Sequence, residues 1–455
     1  MQSSAGNLSL EELTAGVADG TYDTVIVGFT DMQGRLVGKR VSARLFAEEV
    51  ANHGAECCNY LLAVDVDMNT VSGYAISSWE RGYGDMVMKP EMNTLRKIPW
   101  LPGSALVTAD LYWLDGSPVV QSPRQILKAQ VEKLAERGWT PFVGTELEFI
   151  VFDTPYREAW KQGYRDLTPA TDYNVDYDLQ ASTRMEPLMR DIRLSMDGAG
   201  MYGEGIKGEC NLGQQEIAFR FTDAMATCDN HSVYKNGAKE IAEQHGKSIT
   251  FMAKFNEREG SSCHIHLSLR DDAGTPVFAD NDAEHGMSKT FRHFLAGQIA
   301  AMRDFTLFFA PNINSYKRFV AGSFAPTAVA WGLDNRTCAL RIVGHGPSMR
   351  FENRVPGGDV NQYLATAALI AAGLYGIEHE LELPEPLSGN AYVSDADHVP
   401  ATLHEAADLF EASDIARAAF GDDVVDHYVN NARVELAAFE SAVTDWERFR
   451  GFERL

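Results

Sequence analysis

A chain of 455 residues, 45% of them hydrophobic, is long enough for a substantial core and, we expect, for two domains. Its formal net charge of −24 argues against nonspecific nucleic-acid binding and against docking on anionic lipid, while leaving room for a local basic pocket that binds phosphate. The six cysteines form no Cys-x-x-Cys pair, which argues against structural zinc and fits a reducing cytoplasm.

The first part of the chain is predicted to consist mainly of short strands and turns. Ser9 before Leu10–Leu13 indicates a capped helix start, and the N-terminus lacks the basic and apolar regions of a signal peptide. The apolar, β-branched run Thr24–Phe29 predicts a strand, and Asp31–Arg35 predicts a turn into the next one. Short strands and turns are expected to continue to about Asp115.

The pattern changes just before Ser122, which indicates a domain boundary. Ser122 and Pro123 supply an N-cap and a proline at the first helical position, and Gly138 ends the helix. We therefore divide the chain into residues 1–117 and 118–455. Beyond the boundary, strands are predicted over Phe142–Phe152, Gln215–Phe221, Cys263–Leu269, Ala339–Ile342 and Arg350–Val355, and helices over Asp229–His245, Ser288–Phe309 and Tyr363–Ile377.

Two further segments need a specific interpretation. The apolar stretch Tyr363–Ile377 is too short to span a bilayer, so we predict a buried helix and no membrane segment. The glycine-rich segment 198–208 is predicted to be a flexible loop, of the kind that often lines an active site. It is not a phosphate-binding P-loop, because no Gly-Lys-Ser/Thr follows it.

Six side chains of metal-binding type occur in or beside the predicted strands: Glu146, Glu148, Glu209, Glu216, His264 and Glu352. Because strand neighbours point to opposite faces, Glu146 and Glu148 share one face, and so do His264 and His266. Taken singly, each motif fits a solvated strand face or a packed histidine pair equally well or better. Together, five carboxylates repel one another unless cations neutralise them, and such a set with one imidazole suits Mg²⁺ or Mn²⁺. Two such ions are the usual apparatus of phosphoryl transfer.

The order of these motifs resembles that of the glutamine synthetase family. Residues 144–149, Gly-Thr-Glu-Leu-Glu-Phe, are similar to the family's Gly-x-Glu-x-Glu-Phe strand, and Gly260–His266 is similar to its Gly-Ser-Gly-Met-His-x-His strand. Further matching blocks are Glu209–Glu216, Asn314–Arg318, Asn335–Ile342 and Phe351–Arg354. The resemblance implies an α+β subunit with a small N-terminal β-grasp-like domain and a large catalytic domain, whose antiparallel, barrel-like sheet is flanked by helices. It also implies a dodecamer of two stacked hexameric rings, with each active site between neighbouring subunits.

The resemblance implies roles for individual residues. One metal ion would be bound by Glu148, Glu209 and Glu216, and a second, nearer the γ-phosphate, by Glu146, His264 and Glu352. Nucleotide contacts are expected from Glu204, His266, Ser268, Arg336 and Arg341. The glutamate clamp is expected from Gly260, Arg318 and Arg354, and the catalytic arginines are Arg318, Arg336 and Arg341. The reaction would then use ATP, glutamate and at least two Mg²⁺ or Mn²⁺ ions, and would activate the γ-carboxylate as an acyl phosphate.

The part of the site that handles ammonium departs from the family. The family's flap reads approximately Pro-Gly-Tyr-Glu-Ala-Pro, whereas residues 321–326 read Ala-Gly-Ser-Phe-Ala-Pro, so Phe324 stands where a glutamate binds and deprotonates ammonium. Phenylalanine offers only an apolar wall or a weak cation–π contact. The family's Asp-Gly-Ser-Ser loop is missing too, and Asp67 is either an amine contact in its place or a solvated loop carboxylate. Tyr392 lacks the flanking residues of the adenylylation loop, which argues against that control.

These departures predict ATP-dependent ligation of glutamate to a small primary amine. Replacement of an acid by phenylalanine favours a short amine with little charge beyond its nucleophilic nitrogen, and ethanolamine fits best; polyamines and ammonium are the alternatives. A guanidino kinase would stop after phosphoryl transfer, but the Asn314–Arg318 block favours glutamate as the substrate. A non-catalytic regulatory or scaffold homologue would be expected to have lost metal ligands, and all six positions retain a suitable side chain.

Overall fold

A six-stranded sheet forms the centre of the N-terminal part. The computed structural model describes residues 6–455, and in it the strand order is β2-β1-β6-β4-β3, with β5 also paired to β6 and with β1 parallel to β6. The strands are β1 (Thr24–Thr30), β2 (Leu36–Ser42), β3 (Ala55–Cys58), β4 (Asp85–Pro90), β5 (Arg96–Lys97) and β6 (Ser104–Trp113). Helix α1 (Leu10–Asp19) precedes them, with the predicted capping box between Ser9 and Glu12.

One helical segment in this part contradicts the prediction of strands and turns alone. Between β2 and β3 the chain forms α2 (Ala43–Leu45), a π-helical turn (Phe46–Val50) and α3 (Ala51–His53). Phe46 and Val50 are buried, and their spacing of four residues is the helical period, too short here to stand out in the sequence. The predicted turn at Asp31–Arg35 is confirmed and joins β1 to β2.

The second sheet carries the residues of interest and has nine strands. Its order is β13-β14-β15-β12-β7-β9-β8, and β10 and β11 also pair with β7. The strands are β7 (Trp139–Phe152), β8 (Gly203–Gly208), β9 (Gln214–Phe219), β10 (Thr222–Asp223), β11 (Ser248–Thr250), β12 (Cys263–Asp271), β13 (Trp331–Leu333), β14 (Leu340–Val343) and β15 (Arg350–Asn353). All five strands predicted in this part are present, each within a few residues of its predicted ends.

Helices cover the remainder. They are α4 (Pro123–Ala135), α5 (Tyr156–Lys161), α6 (Leu179–Ser182), α7 (Glu186–Gly198), α8 (Ala224–Gln244), α9 (Lys289–Ala301), α10 (Thr306–Phe309), α11 (Gln362–Glu378), α12 (Leu403–Ala412), α13 (Asp414–Phe420), α14 (Asp422–Ser441) and α15 (Asp445–Gly451). The predicted buried helix is α11, which is apolar on nearly every side and lies between α4 and α9. A Cβ at Gly297 or at Gly376 would clash with the backbone of the opposite helix, so α9 and α11 touch backbone to backbone.

Two predictions in this part are wrong. The segment 198–208 is not a flexible loop throughout, because residues 203–208 form β8 and pair with β9 from Gly203 to Gly208. Glycine lowers strand propensity, but a backbone ladder needs no side chain, and β9 supplies the partner. The helix predicted over Ser288–Phe309 is divided into α9 and α10. Within residues 6–455, no helix is long and apolar enough to cross a membrane.

A buried group of charges joins the two parts of the chain. Arg124, near the start of α4, donates to both carboxylate oxygens of Asp229 on α8 at 2.9 Å, and also to Asp110 on β6. Tyr363 on α11 donates to Asp229 at 2.6 Å, and the Arg124 side chain is only 5% exposed. Removal of one member of such a network leaves the others charged, buried and unpaired.

We expect Arg124→Ala to lower the free energy of unfolding by about 3–5 kcal/mol, because Asp229 would be buried without its counter-ion and Asp110 would keep only Lys128. The matched control is Arg137→Ala, which removes a solvent-accessible ion pair with Glu378 and should cost at most about 1 kcal/mol. Urea titration of both variants checks this. Equal losses would mean that the buried network does not hold the parts together.

Candidate active site

Strand pairing brings distant glutamates and histidines onto one face of the nine-stranded sheet. Glu146 on β7 lies opposite His264 on β12, and Glu148 lies opposite Glu216 on β9. Their neighbours Leu147 and Ile265 point the other way and are buried in the core. The alternation predicted from sequence is therefore present, and the register adds the pairing across strands.

The first cluster on this face contains Glu148, Glu209 and Glu216. One carboxylate oxygen of each lies within 4.8 Å of the others. Ser262 and Gln214 donate hydrogen bonds to Glu148, at 2.7 and 3.0 Å, and Lys207 pairs with Glu209. Burial, together with repulsion from Glu146 and Glu148, raises the pKa of Glu216 to about 8. A divalent cation would relieve that repulsion.

The second cluster contains Glu146, His264, His266 and Glu352. Nδ1 of His264 lies 3.3 Å from one oxygen of Glu146 and 3.3 Å from one oxygen of Glu352. Nε2 of His266 lies 2.9 Å from the other oxygen of Glu146. The three donor atoms that converge within 4.8 Å belong to Glu146, His266 and Glu352, so His266 stands beside the predicted ligands as closely as His264 does.

The charges of the second cluster are compensated from the protein side. Burial opposes ionisation of Glu146 and Glu352. Hydrogen bonds from both histidines outweigh burial at Glu146, and attraction to the neighbouring His264 and Arg354 side chains outweighs it at Glu352, so both pKa values stay below the usual range. Burial, followed by the charge of Arg354, lowers the pKa of His264. Its imidazole is therefore neutral, which is the form that binds metals.

The donor set fits divalent cations of the hard type. Oxygen ligands dominate both clusters, and a neutral imidazole adds one nitrogen, as Mg²⁺ and Mn²⁺ accept. Nε2 of His264 is buried and has no hydrogen-bond partner among the described residues. An unpaired buried nitrogen costs free energy, and a bound cation or its water ligand would satisfy it.

A cavity of about 390 Å³ opens above these clusters. The predicted metal ligands that line it are Glu146, Glu148, Glu209, Glu216 and His264. The predicted substrate contacts that line it are Gly260, Arg318, Phe324, Arg336, Arg341 and Arg354. Glu352 is fully buried behind this wall, where Arg341 donates to it at 2.9 Å and Arg354 donates to its other oxygen. Anionic and cationic walls thus face one space.

Each predicted arginine has a distinct environment. Arg318 is 3% exposed and donates to the carbonyls of Val355 and Arg354 at 2.8 and 3.0 Å, with Gly260 packed against its stem. Burial lowers the pKa of Arg318 to about 10, which leaves the guanidinium charged at neutral pH. Arg341 bridges Glu352 and Asp334. Arg336 is exposed at the rim.

Besides the buried Glu352, four predicted residues do not line the cavity. Glu204 on β8 is exposed, and His266 and Ser268 lie farther along β12, on the face that carries His264. Asp67 is exposed in the turn after Val64, near Glu435 of α14, and is not among the residues around the cavity of its own chain.

Sequence reasoning missed several residues of this region. Arg350 donates to Nδ1 of His266 at 3.2 Å, and the two-residue alternation with Glu352 and Arg354 could have found it. Phe221, 50% exposed, packs edge-on against Phe142 and lies beside Gly144. Asp176 and Tyr177 line the cavity from the irregular segment before α6, and no sequence pattern marked them.

The segment 321–326 lies at the cavity mouth. Phe324 lines the cavity, its ring is 58% exposed, and its φ of +59° is in the left-handed region. Few bulky side chains adopt that conformation without support from their surroundings. The predicted amine-site residue is therefore in contact with the same space as the carboxylates.

Comparison with known proteins extends over nearly the whole chain. The glutamine synthetase catalytic domain matches residues 120–450. The chain is 64% identical over 448 residues to gamma-glutamylethanolamide synthetase GlnA4 of Streptomyces coelicolor, with 98% of this chain and 96% of that protein covered. It is 37% identical over 433 residues to the glutamate–isopropylamine ligase of a Pseudomonas species, with 94% of each covered. A solved GmaS/ADP complex has the same fold, with a TM-score of 0.86 and 29% identity over 97% of this chain and 99% of that one.

We expect Mg²⁺ or Mn²⁺ to raise the melting temperature, by the equivalent of about 2.7 kcal/mol at a hundredfold excess over Kd. Because the pKa of Glu216 is raised from 4.5 to about 8, the metal-free protein loses stability as the pH increases through that range. The metal-induced increase in melting temperature should therefore be larger at pH 8.5 than at pH 6. Differential scanning calorimetry measures both.

Glu216→Gln should melt higher than the wild type without metal, because the repulsion is gone, and should respond weakly to metal. Glu284→Gln, at an exposed glutamate, is the control and should behave like the wild type. If neither cation changes the melting temperature of the wild-type protein at pH 8.5, the assignment of the carboxylate clusters as a metal site is wrong.

Proposed function

The chain belongs to the glutamine synthetase family, and we propose that it joins the γ-carboxylate of glutamate to a small primary amine, ethanolamine, with conversion of ATP to ADP and phosphate. The observation that carries the proposal is the contrast within one cavity: the carboxylate and arginine walls are complete, while Phe324 occupies the flap. The high identity to a gamma-glutamylethanolamide synthetase supports the same amine.

The reaction needs an activated carboxylate, since a carboxylate oxygen is a poor leaving group. An oxygen of the γ-carboxylate attacks the γ-phosphorus of ATP, ADP leaves, and γ-glutamyl phosphate results. The amine nitrogen then attacks the acyl carbon, the bond from that carbon to the phosphate oxygen breaks, and phosphate leaves. The nitrogen gives up one proton, and the amide remains.

We assign the two carboxylate clusters to divalent cations. Glu148, Glu209 and Glu216 would hold one ion, and Glu146 and Glu352 would hold the other together with His264, with His266 adjacent. Bound cations neutralise the charge that accumulates on the phosphoryl group during transfer. The protein prepares for this by holding the carboxylates in register and keeping Glu146 and Glu352 ionised.

We assign the arginines to the substrates. Arg318 and Arg354 would bind a carboxylate of glutamate, and Gly260, whose missing side chain leaves room for the stem of Arg318, supports this assignment. Arg336 and Arg341, which also line the cavity, would contact phosphate oxygens, for which the planar guanidinium fork is well shaped. Glu204, His266 and Ser268 would contact the nucleotide farther along the sheet.

The amine half of the site is apolar on one wall. The ring of Phe324 can pack against the short carbon chain of ethanolamine, whereas it cannot accept the proton that ammonium must lose. Asp176, which also lines the cavity, is a carboxylate able to take up a proton. We further propose that Asp67 reaches this site only from a neighbouring subunit, since it lies away from the cavity of its own chain.

The remaining assignments follow from the same family membership. We propose a dodecamer of two hexameric rings and domains at 1–117 and 118–455, the second beginning between the end of β6 and the start of α4. The described cysteines are all free, which agrees with a cytoplasmic location. Exposed apolar side chains at the C-terminal end, Trp446, Phe449 and Phe452, suit burial against another subunit.

The amine is tested with a panel of ethanolamine, isopropylamine, putrescine, spermidine and ammonium, assayed for glutamate-dependent phosphate release and for amide by mass spectrometry. We expect kcat/KM for ethanolamine to exceed that for ammonium at least tenfold. A preference for ammonium would refute the remodelled amine half, a polyamine preference would favour the alternative acceptor, and no phosphate release with any amine would favour a scaffold.

Phe324→Glu should raise kcat/KM for ammonium and lower it for ethanolamine, because it restores a carboxylate to the flap and removes the apolar wall. The control is Phe324→Leu, which keeps an apolar side chain at the same position and should keep the wild-type preference. If both variants shift the preference equally, the carboxylate is not the determinant.

A further inference from the structure

The flap segment 321–326 is held by three side chains, and two of them, Ser323 and Tyr392, have no assigned part in the reaction. Oγ of Ser323 donates to the carbonyl of Val320 at 2.6 Å and closes the turn that precedes Phe324. Nη2 of Arg354 lies 3.4 Å from the carbonyl oxygen of Phe324, to which it donates. The hydroxyl of Tyr392 donates to the carbonyl of Ala325 at 3.0 Å. Two successive carbonyls are therefore held by side chains from two separate parts of the chain.

These contacts have a reason in the backbone. Phe324 has a φ of +59°, a region in which a residue with a bulky side chain is strained. Such a conformation persists only where surrounding contacts hold it. The contacts from Arg354 and Tyr392 lie at Phe324 and at the residue after it, so they act on the strained unit itself.

Tyr392 is itself firmly placed. It lies in a short 3-10 turn, Ala391–Val393, whose start is capped by the side chain of Asn390. Ala391 is fully buried in a small cluster with Ala328, Ala330 and Cys338. Its backbone N–H donates to Oγ1 of Thr337 at 2.9 Å. The anchor of the flap is thus part of the packed body of the protein.

The tyrosine hydroxyl is suited to act as a permanent donor. The side chain is half-buried, and burial raises its pKa above 10, although the nearby charges of Arg354 and Arg318 work in the opposite direction. The phenol therefore keeps its proton at every pH at which the enzyme would act. Most surface tyrosines direct their hydroxyl into water, whereas the hydroxyl of Tyr392 donates to the carbonyl of Ala325.

We propose that Tyr392 is a positioning residue that latches the flap over the cavity and so protects activated glutamate from water. The contact itself is independent of the proposed function, and its chemical consequence rests on that function. Arg354 takes part in the same latch but also binds Glu352, so only Tyr392 can be altered without touching the carboxylate clusters.

The consequence concerns the fate of γ-glutamyl phosphate. With the flap closed, the amine nitrogen attacks the acyl carbon and phosphate leaves, which gives one amide per phosphate. With the flap open, water attacks the same carbon, the same carbon–oxygen bond breaks, and glutamate and phosphate are released. The net reaction is then hydrolysis of ATP to ADP and phosphate without an amide. The ratio of phosphate to amide therefore measures flap closure.

The test compares Tyr392→Phe with Tyr156→Phe. The hydroxyl of Tyr156 also donates to a backbone carbonyl, that of Ile249 at 2.9 Å, but Tyr156 does not line the cavity. Tyr156→Phe therefore removes the same kind of hydrogen bond as Tyr392→Phe, at a site away from the flap. At ethanolamine below its KM, we expect a phosphate-to-amide ratio near one for the wild type and Tyr156→Phe, and at least threefold higher for Tyr392→Phe. The KM for the amine should rise at least threefold in Tyr392→Phe, with the KM for ATP within twofold of the wild type. A ratio equal to that of the wild type overturns the latch.

A second measurement needs no knowledge of the amine. Hydrogen–deuterium exchange of the free enzyme, followed by mass spectrometry, should be at least tenfold faster in peptides that cover residues 320–327 in Tyr392→Phe, and unchanged there in Tyr156→Phe. Unchanged exchange in Tyr392→Phe overturns the latch whatever the activity. If the wild type prefers ammonium, the proposed function fails, whereas this exchange experiment still decides the latch.

Discussion

Repulsion between carboxylates that the sheet holds side by side is the constraint on which the rest of the site depends. Glu146, Glu148 and Glu216 lie on adjacent strands in fixed register, so the protein cannot relieve their repulsion by moving them apart. Burial strengthens the repulsion because less water screens it. Burial and this repulsion together raise the pKa of Glu216. A fold that keeps such a cluster gains stability from any cation that enters it.

The two clusters manage this constraint in different ways. Around Glu352 the protein supplies its own counter-charges, from Arg341 and Arg354, so that carboxylate stays ionised while fully buried. Around Glu216 the described residues supply only Lys207, which already pairs with Glu209. The carboxylate charge of the second cluster is therefore balanced by protein side chains, whereas that of the first cluster requires a bound cation. This difference explains why the pKa of Glu216 is raised, whereas the pKa values of Glu146 and Glu352 are lowered.

The sequence predicts the strands and the faces far better than their arrangement. Period-two alternation is local, so it correctly places Glu146 beside Glu148 and His264 beside His266. Pairing of Glu148 with Glu216, 68 positions later, depends on the register of the whole sheet and is invisible in either segment alone. The short helical segment near Phe46 and the glycine strand β8 were missed because tertiary contacts override weak local preference there. The left-handed backbone at Phe324 and its tether to Tyr392 have no local signal.

A phenylalanine at the flap position where the family resemblance implies a glutamate affects more than one side chain. A charged flap is attracted to a cationic substrate, so substrate binding itself helps to close it. Phe324 has no such attraction and makes only short-range apolar contacts, which do not steer a flap from a distance. Closure must then come from the protein, through donors aimed at the flap carbonyls, and Arg354 and Tyr392 are those donors. The apolar flap residue and the hydrogen bonds to the flap backbone are thus linked, because a flap without its own charge needs those bonds to close.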